Sequence, residues 1–378
     1  MRILFTSQPG MGHVNGLIVL AQEFKRRGHT AVVAGPPSVV AAFQAAGIEG
    51  HVILAEPEST DSPSVHSRLR SSGIATPAER LAWTRSEISV RERATSLALK
   101  LRQCARLLSP DLIVRDATEL AGWVVAETLG VPHVSLEVSA HWSIAAWDSA
   151  CGPAVSELRE GIGLPVDSGS PSSGMYDHAH LMNAPVSLVG NVDTLPSTNI
   201  FIAPGFFEST GRSSIGDLRF TDRHIYMAFG SVYDIPRDIY EDVVSRASKI
   251  WPVVAVGSHR LTSSVYRDGY IPQGKFMDNC RAVFCHAGRS TVLTALTSSV
   301  PVICAPIASD HHDIARAVER VGAGFSVHWD AEEILQSLED IARGDNGAAD
   351  RCREIAEEIA NLPSPGEIVD WLIDHFSR

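Results

Sequence analysis

The N-terminal run Met1-Arg2-Ile3-Leu4-Phe5-Thr6-Ser7-Gln8-Pro9-Gly10-Met11-Gly12-His13 decides how the rest of the chain is read. Met1 to Phe5 is a short apolar run, cut by a glycine-bearing turn. It ends too early for a secretory core of about 7–15 residues, so it is expected to be a first β-strand and the chain cytoplasmic. An amphipathic segment from about Val14 to Arg27 follows, closed by Gly28 near a helix C-cap. Thr30 to Ala34 reads as a second strand, stopped by Gly35-Pro36-Pro37. Strand, turn, helix and strand in that order are the unit of a parallel sheet covered by helices.

The same grammar continues outward. Asp111 to Val114 reads as a buried strand, Ala117 to Leu129 as a helix ended by Gly130, and Val131 to Leu136 as the next strand. In the second half, His224 to Phe229, Pro252 to Val256, Ala282 to Cys285 and Val300 to Ala305 are expected strands. Helices are expected at Ile235 to Lys249, Ser290 to Ser298 and Asp310 to Val321. Between the halves, roughly Asn191 to Thr221 is rich in Pro, Gly, Ser and Thr and reads as a linker. The 378 residues suffice for two ordinary domains, placed at 1–205 and 206–378. The expected fold class is α/β, with a cleft between the domains and ligands at the C-terminal ends of the strands.

Composition narrows the function. Apolar residues make up 44% and charged residues 20%, which excludes a largely disordered chain. No apolar run approaches the ~18–20 residues of a membrane span. A net charge of -12 argues against nucleic acid, whose phosphates call for a basic face. A nucleotide can still be held by a few backbone amides. Cys104, Cys151, Cys280, Cys285, Cys304 and Cys352 form no C-x-x-C pair and read as buried free thiols.

The first turn is not a dinucleotide fingerprint. The third glycine position of G-x-G-x-x-G is Asn15, and the second strand ends Val33-Ala34-Gly35 with no acid for a ribose. His13 instead stands at the ligand end of the first strand, where an imidazole can serve as a general base. Asp116, after the strand Asp111 to Val114, is the candidate to hold its far nitrogen. Read alone, an Asp after a strand is more often a helix N-cap.

A second cluster, His286-Ala287-Gly288-Arg289-Ser290-Thr291, also follows a strand and opens a helix. Small residues, hydroxyls and free amides at a positive helix end suit a diphosphate; a plain helix start capped by Ser290 is the competing reading. Gly230-Ser231 ends the facing strand in the same manner, so two hydroxyl-bearing turns would converge on one anion.

Tyr270-Ile271-Pro272-Gln273, His286-x-Gly288-x-x-Thr291, Ser299-Val300-Pro301 and Pro306-x-x-x-Asp310 together resemble the donor signature of nucleotide-sugar glycosyltransferases of the GT-B fold. That family includes bacterial antibiotic and plant secondary-metabolite enzymes. Gly12-His13-Val14-Asn15 and the segment from Pro110 to Asp116 resemble its acceptor half. The likeness covers both halves in order and leaves residues 55–105 and 140–200 unmatched. It implies two Rossmann-like domains facing each other across a cleft, with a last helix at about 365–376 packing back on the first.

The resemblance also implies roles. His13 would deprotonate the acceptor with Asp116 orienting it, in an inverting displacement that needs no metal. Tyr270 would stack on the nucleotide base and the Ile271 backbone would hydrogen-bond its edge. Gly230, Ser231, His286, Ala287, Gly288, Arg289, Ser290 and Thr291 would form the diphosphate cradle. Asp310 and His311 would meet the sugar. Gly12, His141 and Trp142 are placed at the acceptor. The implied partners are a dTDP- or UDP-sugar, as co-substrate rather than cofactor, and a small hydrophobic or aromatic acceptor; a homodimer is left open.

Three positions depart from that pattern. His311 replaces a usual Gln, Thr294 stands where plant members carry a ribose-binding Glu, and Arg289 reads either as a phosphate contact or as a solvated charge. The run Asp310-His311-His312-Asp313 points in different directions on a helix and is not expected to bind metal. Two rivals remain at this level: a nucleotide-sugar epimerase of the same fold, and a non-catalytic nucleotide-sugar binder, which would need neither His13 nor Asp116.

Overall fold

In the computed structural model, the described residues are 1–56, 67–69, 71, 73–207, 223–229, 235–256, 266–267, 273–277, 279–344 and 346–377. They divide into two compact units. The first comprises Met1–Ala184, Asn191–Phe207 and Leu362–Arg378, and the second Pro185–Gly190 and Glu208–Asn361.

The first unit is built on seven strands: β1 (Arg2–Thr6), β2 (Thr30–Gly35), β3 (Glu49–Val52), β4 (Leu112–Asp116), β5 (His133–Glu137), β6 (Ala179–Met182) and β7 (Asn199–Phe201). All pair in parallel, in the order β3-β2-β1-β4-β5-β6-β7. The period of two explains why the strands read as unbroken apolar runs. Ile3 and Phe5 of β1 enter one core with Val14, Leu17 and Phe24. Leu4 enters a second core, on the other face, with Leu101, Trp123 and Trp147. The helices over these faces are α1 (Met11–Arg26), α2 (Pro37–Ala45), α3 (Pro77–Trp83), α4 (Thr95–Leu108), α5 (Leu120–Leu129) and α6 (Ile144–Ile162).

Several boundaries differ from the sequence expectation. Helix α1 begins at Met11, not near Val14, because Gly10 turns the chain at φ 125 and His13 already donates its N–H to the Gly10 carbonyl. Helix α5 begins at Leu120, capped by Glu119, whose carboxylate accepts from the amides of Ala121 and Gly122. Asp116 is therefore the last residue of β4 and caps nothing. The first part of the expected linker is not a linker: Asn199–Phe201 forms the edge strand β7, in register with β6. Its Pro- and Thr-rich surroundings hid a strand of only three residues. The stretch from Thr76 to Leu108, unmatched in the sequence, is helical throughout. It opens on a Thr76–Glu79 capping box and is wound as a π-helix over Thr84–Ala94.

The second unit holds six parallel strands, β8 (His224–Ala228), β9 (Val253–Val256), β10 (Tyr266–Arg267), β11 (Cys280–Cys285), β12 (Val302–Cys304) and β13 (Gly324–Ser326), in the order β10-β9-β8-β11-β12-β13. Its helices are α7 (Arg237–Ala247), α8 (Arg289–Thr297), α9 (His311–Arg320), α10 (Ala331–Arg343) and α11 (Ala348–Ala360). Ile225, Met227, Phe229, Phe284, Ile303 and Leu338 lie in its core. The last helix, α12 (Pro365–Phe376), belongs to the first unit. Its Ile368, Val369 and Leu372 join the core beneath α1, and Arg27 reaches from the end of α1 to Asp370 and the Gly366 carbonyl.

All six cysteines are free, and all but Cys104 are buried. Among the described residues no helix is long and apolar enough to cross a membrane. In each sheet the winding reverses once, between β1 and β4 and between β8 and β11. Such reversals open a crevice at the strand C-termini, where ligands of open α/β sheets bind.

Candidate active-site residues in each unit

At the first reversal the sheet register sets Thr6 beside Arg115, so the chain leaving β1 and the end of β4 emerge together. His13, in the first turn of α1, places Nδ1 2.6 Å from Asp116 Oδ2. The imidazole side chain is 34% exposed and the carboxylate 0%. Asp116 is held from three further directions. Its Oδ1 accepts from the Thr118 amide at 2.7 Å and the Thr118 hydroxyl at 2.8 Å, and Oδ2 accepts from the Gln8 amide at 3.2 Å. A carboxylate fixed in this manner selects the Nδ1–H tautomer of its histidine and leaves Nε2 as the basic nitrogen.

Beneath the pair lies a buried polar layer. The Arg115 guanidinium donates to the carbonyls of Asp116, Ala117, Glu119 and Met175. Burial lowers its pKa, against the pull of Tyr176, Glu119, Asp116 and Glu137. Burial raises the pKa of the Glu119 carboxyl, although the Thr6 hydroxyl donates to it at 2.6 Å. The loop that carries Asp116 is thus anchored by its own backbone carbonyls.

The other acceptor-side expectations sit differently. Gly12 is exposed in the first turn of α1, and a side chain there would meet nothing within 4 Å. His141 is packed inward, with Nδ1 3.0 Å from Glu137 Oε2 and a side chain only 6% exposed. Trp142 is half-buried, with the Arg85 guanidinium 3.9 Å from its ring centre and Trp147 edge-on at 5.5 Å.

In the second unit, His286 directly follows β11, and Ala287 adopts φ 66, a left-handed conformation that costs a β-carbon-bearing residue energy. Ser309, in the loop after β12, does the same at φ 56. Gly288, not Ser290, is the N-cap of α8. The glycine is required there: a β-carbon would fall 2.8 Å from Nε2 of His286. Arg289, Ser290 and Thr291 form the first turn, at the positive end of the helix. The Thr294 hydroxyl donates back to the Ser290 carbonyl at 2.8 Å and is buried. Asp310 occupies the N-cap position of α9 but its side chain makes no capping bond.

His311 packs its ring against His286, centres 4.6 Å apart, and its Nδ1 lies 3.4 Å from the Ala308 amide. Two imidazoles therefore lie side by side between the end of β11 and the start of α9. Burial lowers the His286 pKa to about 4, outweighing a hydrogen bond to the Ala228 backbone. Burial and then the neighbouring His286 lower that of His311 to about 3. Both are neutral near pH 7 in the folded protein.

A pH prediction follows from these directions. Between the ordinary histidine value of about 6.5 and about 4, the unfolded chain binds protons that the native rings refuse, so stability falls as pH falls through that window. The denaturation midpoint is expected to drop from pH 7 to roughly pH 5, and to drop less in His311→Gln. Parallel pH dependence in both proteins would count against the buried neutral pair.

Gly230, Ser231, Tyr270 and Ile271 lie outside the described residues. The structure brings together His13 with Asp116, which the sequence paired, and His286 with His311, which it had given separate roles. Sequence reasoning missed Gln8 and Thr118, which complete the hold on Asp116. Thr118 was legible locally, as a hydroxyl two residues after an aspartate. Gln8 was not, because its contact spans β1 and β4. Also missed was a cluster of Glu137, His141 and His180, whose ligating atoms lie within 4.8 Å of one another.

Comparison with known proteins agrees with this architecture. Residues 256–375 match the family described as erythromycin biosynthesis protein CIII-like, C-terminal domain. The L-demethylnoviosyl transferase of Streptomyces niveus is 25% identical, over 98% of this chain and 97% of its own. The cyanidin-3-O-glucoside 2-O-glucuronosyltransferase of Bellis perennis is 26% identical over 36% of each chain. The spinosyn rhamnosyltransferase SpnG, solved with thymidine diphosphate, superposes with a TM-score of 0.76 at 20% identity, covering 98% of this chain and all of that one.

Proposed function

We propose that this chain, which has the GT-B fold and is similar to Streptomyces antibiotic glycosyltransferases and plant anthocyanin glycosyltransferases, transfers a sugar from a nucleoside diphosphate to a small natural-product aglycone. The observation that carries the reading is the His13–Asp116 pair, 2.6 Å apart, with the carboxylate held by three further donors.

In the reaction, a nucleophilic group of the aglycone passes its proton to His13 Nε2 and attacks the anomeric carbon. The bond from that carbon to the diphosphate breaks, and the nucleoside diphosphate leaves with the electron pair. Attack opposite the leaving group inverts the configuration. Asp116 accepts from Nδ1 throughout and offsets the imidazolium charge that forms. The departing diphosphate is met by the amides at the start of α8 and by neutral His286, where a positive helix end stabilises negative charge.

Thymidine nucleotides are the proposed donors. Thr294 spends its hydroxyl on its own helix, so the position offers no carboxylate to a ribose diol. SpnG was solved with thymidine diphosphate. With a panel of dTDP- and UDP-sugars and mixed polyketide or phenolic acceptors, dTDP donors are expected to turn over about tenfold faster or more. Equal rates would remove the donor assignment. No acceptor-dependent release of nucleoside diphosphate from any donor would remove the transferase reading itself.

A further inference from the structure

Apart from the transfer reaction, we propose that Glu137, His141 and His180 of the first unit form a binding site for a zinc-type divalent cation. The fold assembles the three from separate pieces of chain. Glu137 ends β5, and the pleat puts it on the same face as Ser135. The parallel register of β6 sets His180 directly beside Ser135. The chain after β5 then turns back and returns His141 over Glu137.

The distances suit one small ion. Glu137 Oε2 lies 3.0 Å from His141 Nδ1 and 3.8 Å from His180 Nε2. Ligands about 2.0–2.2 Å from a tetrahedral zinc are separated by roughly 3.3–3.5 Å, and the two observed separations bracket that range. Two imidazoles and one carboxylate are the donor set of zinc with a fourth position left over; magnesium and calcium take oxygen shells instead.

The surroundings orient the ligands as metal sites do. Glu137 Oε1 accepts from the amides of Val138 and Ser139 and from the Ser139 hydroxyl, which turns Oε2 toward the imidazoles. Ser135 Oγ lies 2.8 Å from His180 Nδ1, which points Nε2 at the carboxylate. The Tyr176 ring packs on both imidazoles, with centres 4.6 Å from His180 and 5.8 Å from His141. The buried Arg115 is committed to four carbonyl oxygens, and the buried Arg85 to Ser139 Oγ and the Ala140 carbonyl. A bound ion would tie β5 and β6 to the segment carrying Trp142.

The test uses the full chain without a histidine tag, stripped with chelator and titrated with Co²⁺. A single equivalent is expected to give the intense visible bands of four- or five-coordinate cobalt, and Zn²⁺ should displace them. Glu137→Gln and His180→Ala should each weaken binding by about 100-fold or more, while His312→Ala, in the His/Asp run of α9, should leave it unchanged. Should those variants fail to fold, the wild-type protein still decides, because a native-state ligand raises Tm with its concentration. A pale octahedral cobalt spectrum with no Zn²⁺-dependent rise in Tm, or undiminished affinity in a folded Glu137→Gln, would overturn the proposal and leave an ion pair.

Discussion

Replacing His13 by alanine is expected to lower acceptor-dependent turnover by about 10²–10⁴-fold, the usual share of a positioned general base. The imidazole is one-third exposed and packs no core, so the fold should survive; the Tm is expected to stay within a few degrees of wild type. The proposed diphosphate residues His286, Ser290 and Thr291 belong to the other unit, so nucleotide binding should also survive. The loss should therefore fall on kcat rather than on the donor KM.

Asp116→Asn separates positioning from charge. The amide keeps the shape, but it can present N–H where Nδ1 needs an acceptor, which reverses the histidine tautomer. Thr118 and Gln8 already donate to this side chain, so the oxygen of an asparagine has competing claims on it. Turnover is expected to fall nearly as far as in His13→Ala, and the double variant should be little worse than either single one. Multiplying losses in the double variant would mean that the residues act independently, and the base assignment would fail.

How much of this was open to sequence reading varies by residue. The strands were legible because burial on both faces writes them as apolar runs, and several turns because glycine closes a helix, as at Gly130 after α5 and Gly163 after α6. His13 and Asp116 could be paired because two strands expected to lie side by side in a parallel sheet end on the same edge. Helix starts were less legible. Gly10 and Gly288 open α1 and α8 through a φ of 125 and a close approach to His286, neither of which composition records. Glu119 was passed over as the cap of α5 in favour of Asp116, since both are acids in a short loop and only the register of β4 with β5 tells them apart. β7 was hidden because edge strands are short and its neighbours are turn-formers. Glu137, His141 and His180 could not be grouped at all. Their convergence depends on β5 and β6 pairing residues 45 positions apart, Ser135 with His180, and the spacing of two histidines and a glutamate carries no signature of its own.

The largest expected effect on stability comes from Gly122→Ala, a change of one methyl group below the His13–Asp116 pair. Gly122 lies in the first turn of α5, fully inside the first unit, and its amide donates to Glu119. A β-carbon there would fall 2.5 Å from the Thr6 hydroxyl oxygen, 2.9 Å from a Glu119 carboxylate oxygen and 3.3 Å from the Arg115 β-carbon. The Thr6–Glu119 bond, at 2.6 Å, occupies that space. Neither partner has an exit, since both are buried and Thr6 is fixed at the end of β1. Accommodation must break the bond or push α5 outward, and overpacking together with an unsatisfied buried carboxyl costs about 2–4 kcal/mol. The denaturant midpoint should fall accordingly with the slope unchanged. Because the 116–119 loop carries Asp116, kcat should fall as well, even at temperatures where the variant is fully folded. Thr6→Ala removes the nearest obstacle but also a donor to Glu119. It should therefore destabilise the wild type by about 1–3 kcal/mol and Gly122→Ala by much less, a coupling that a double-mutant cycle reads directly. Additive losses in that cycle would show that Thr6 and Gly122 do not contend for the same space, and that the polar layer beneath His13 and Asp116 is looser than its distances indicate.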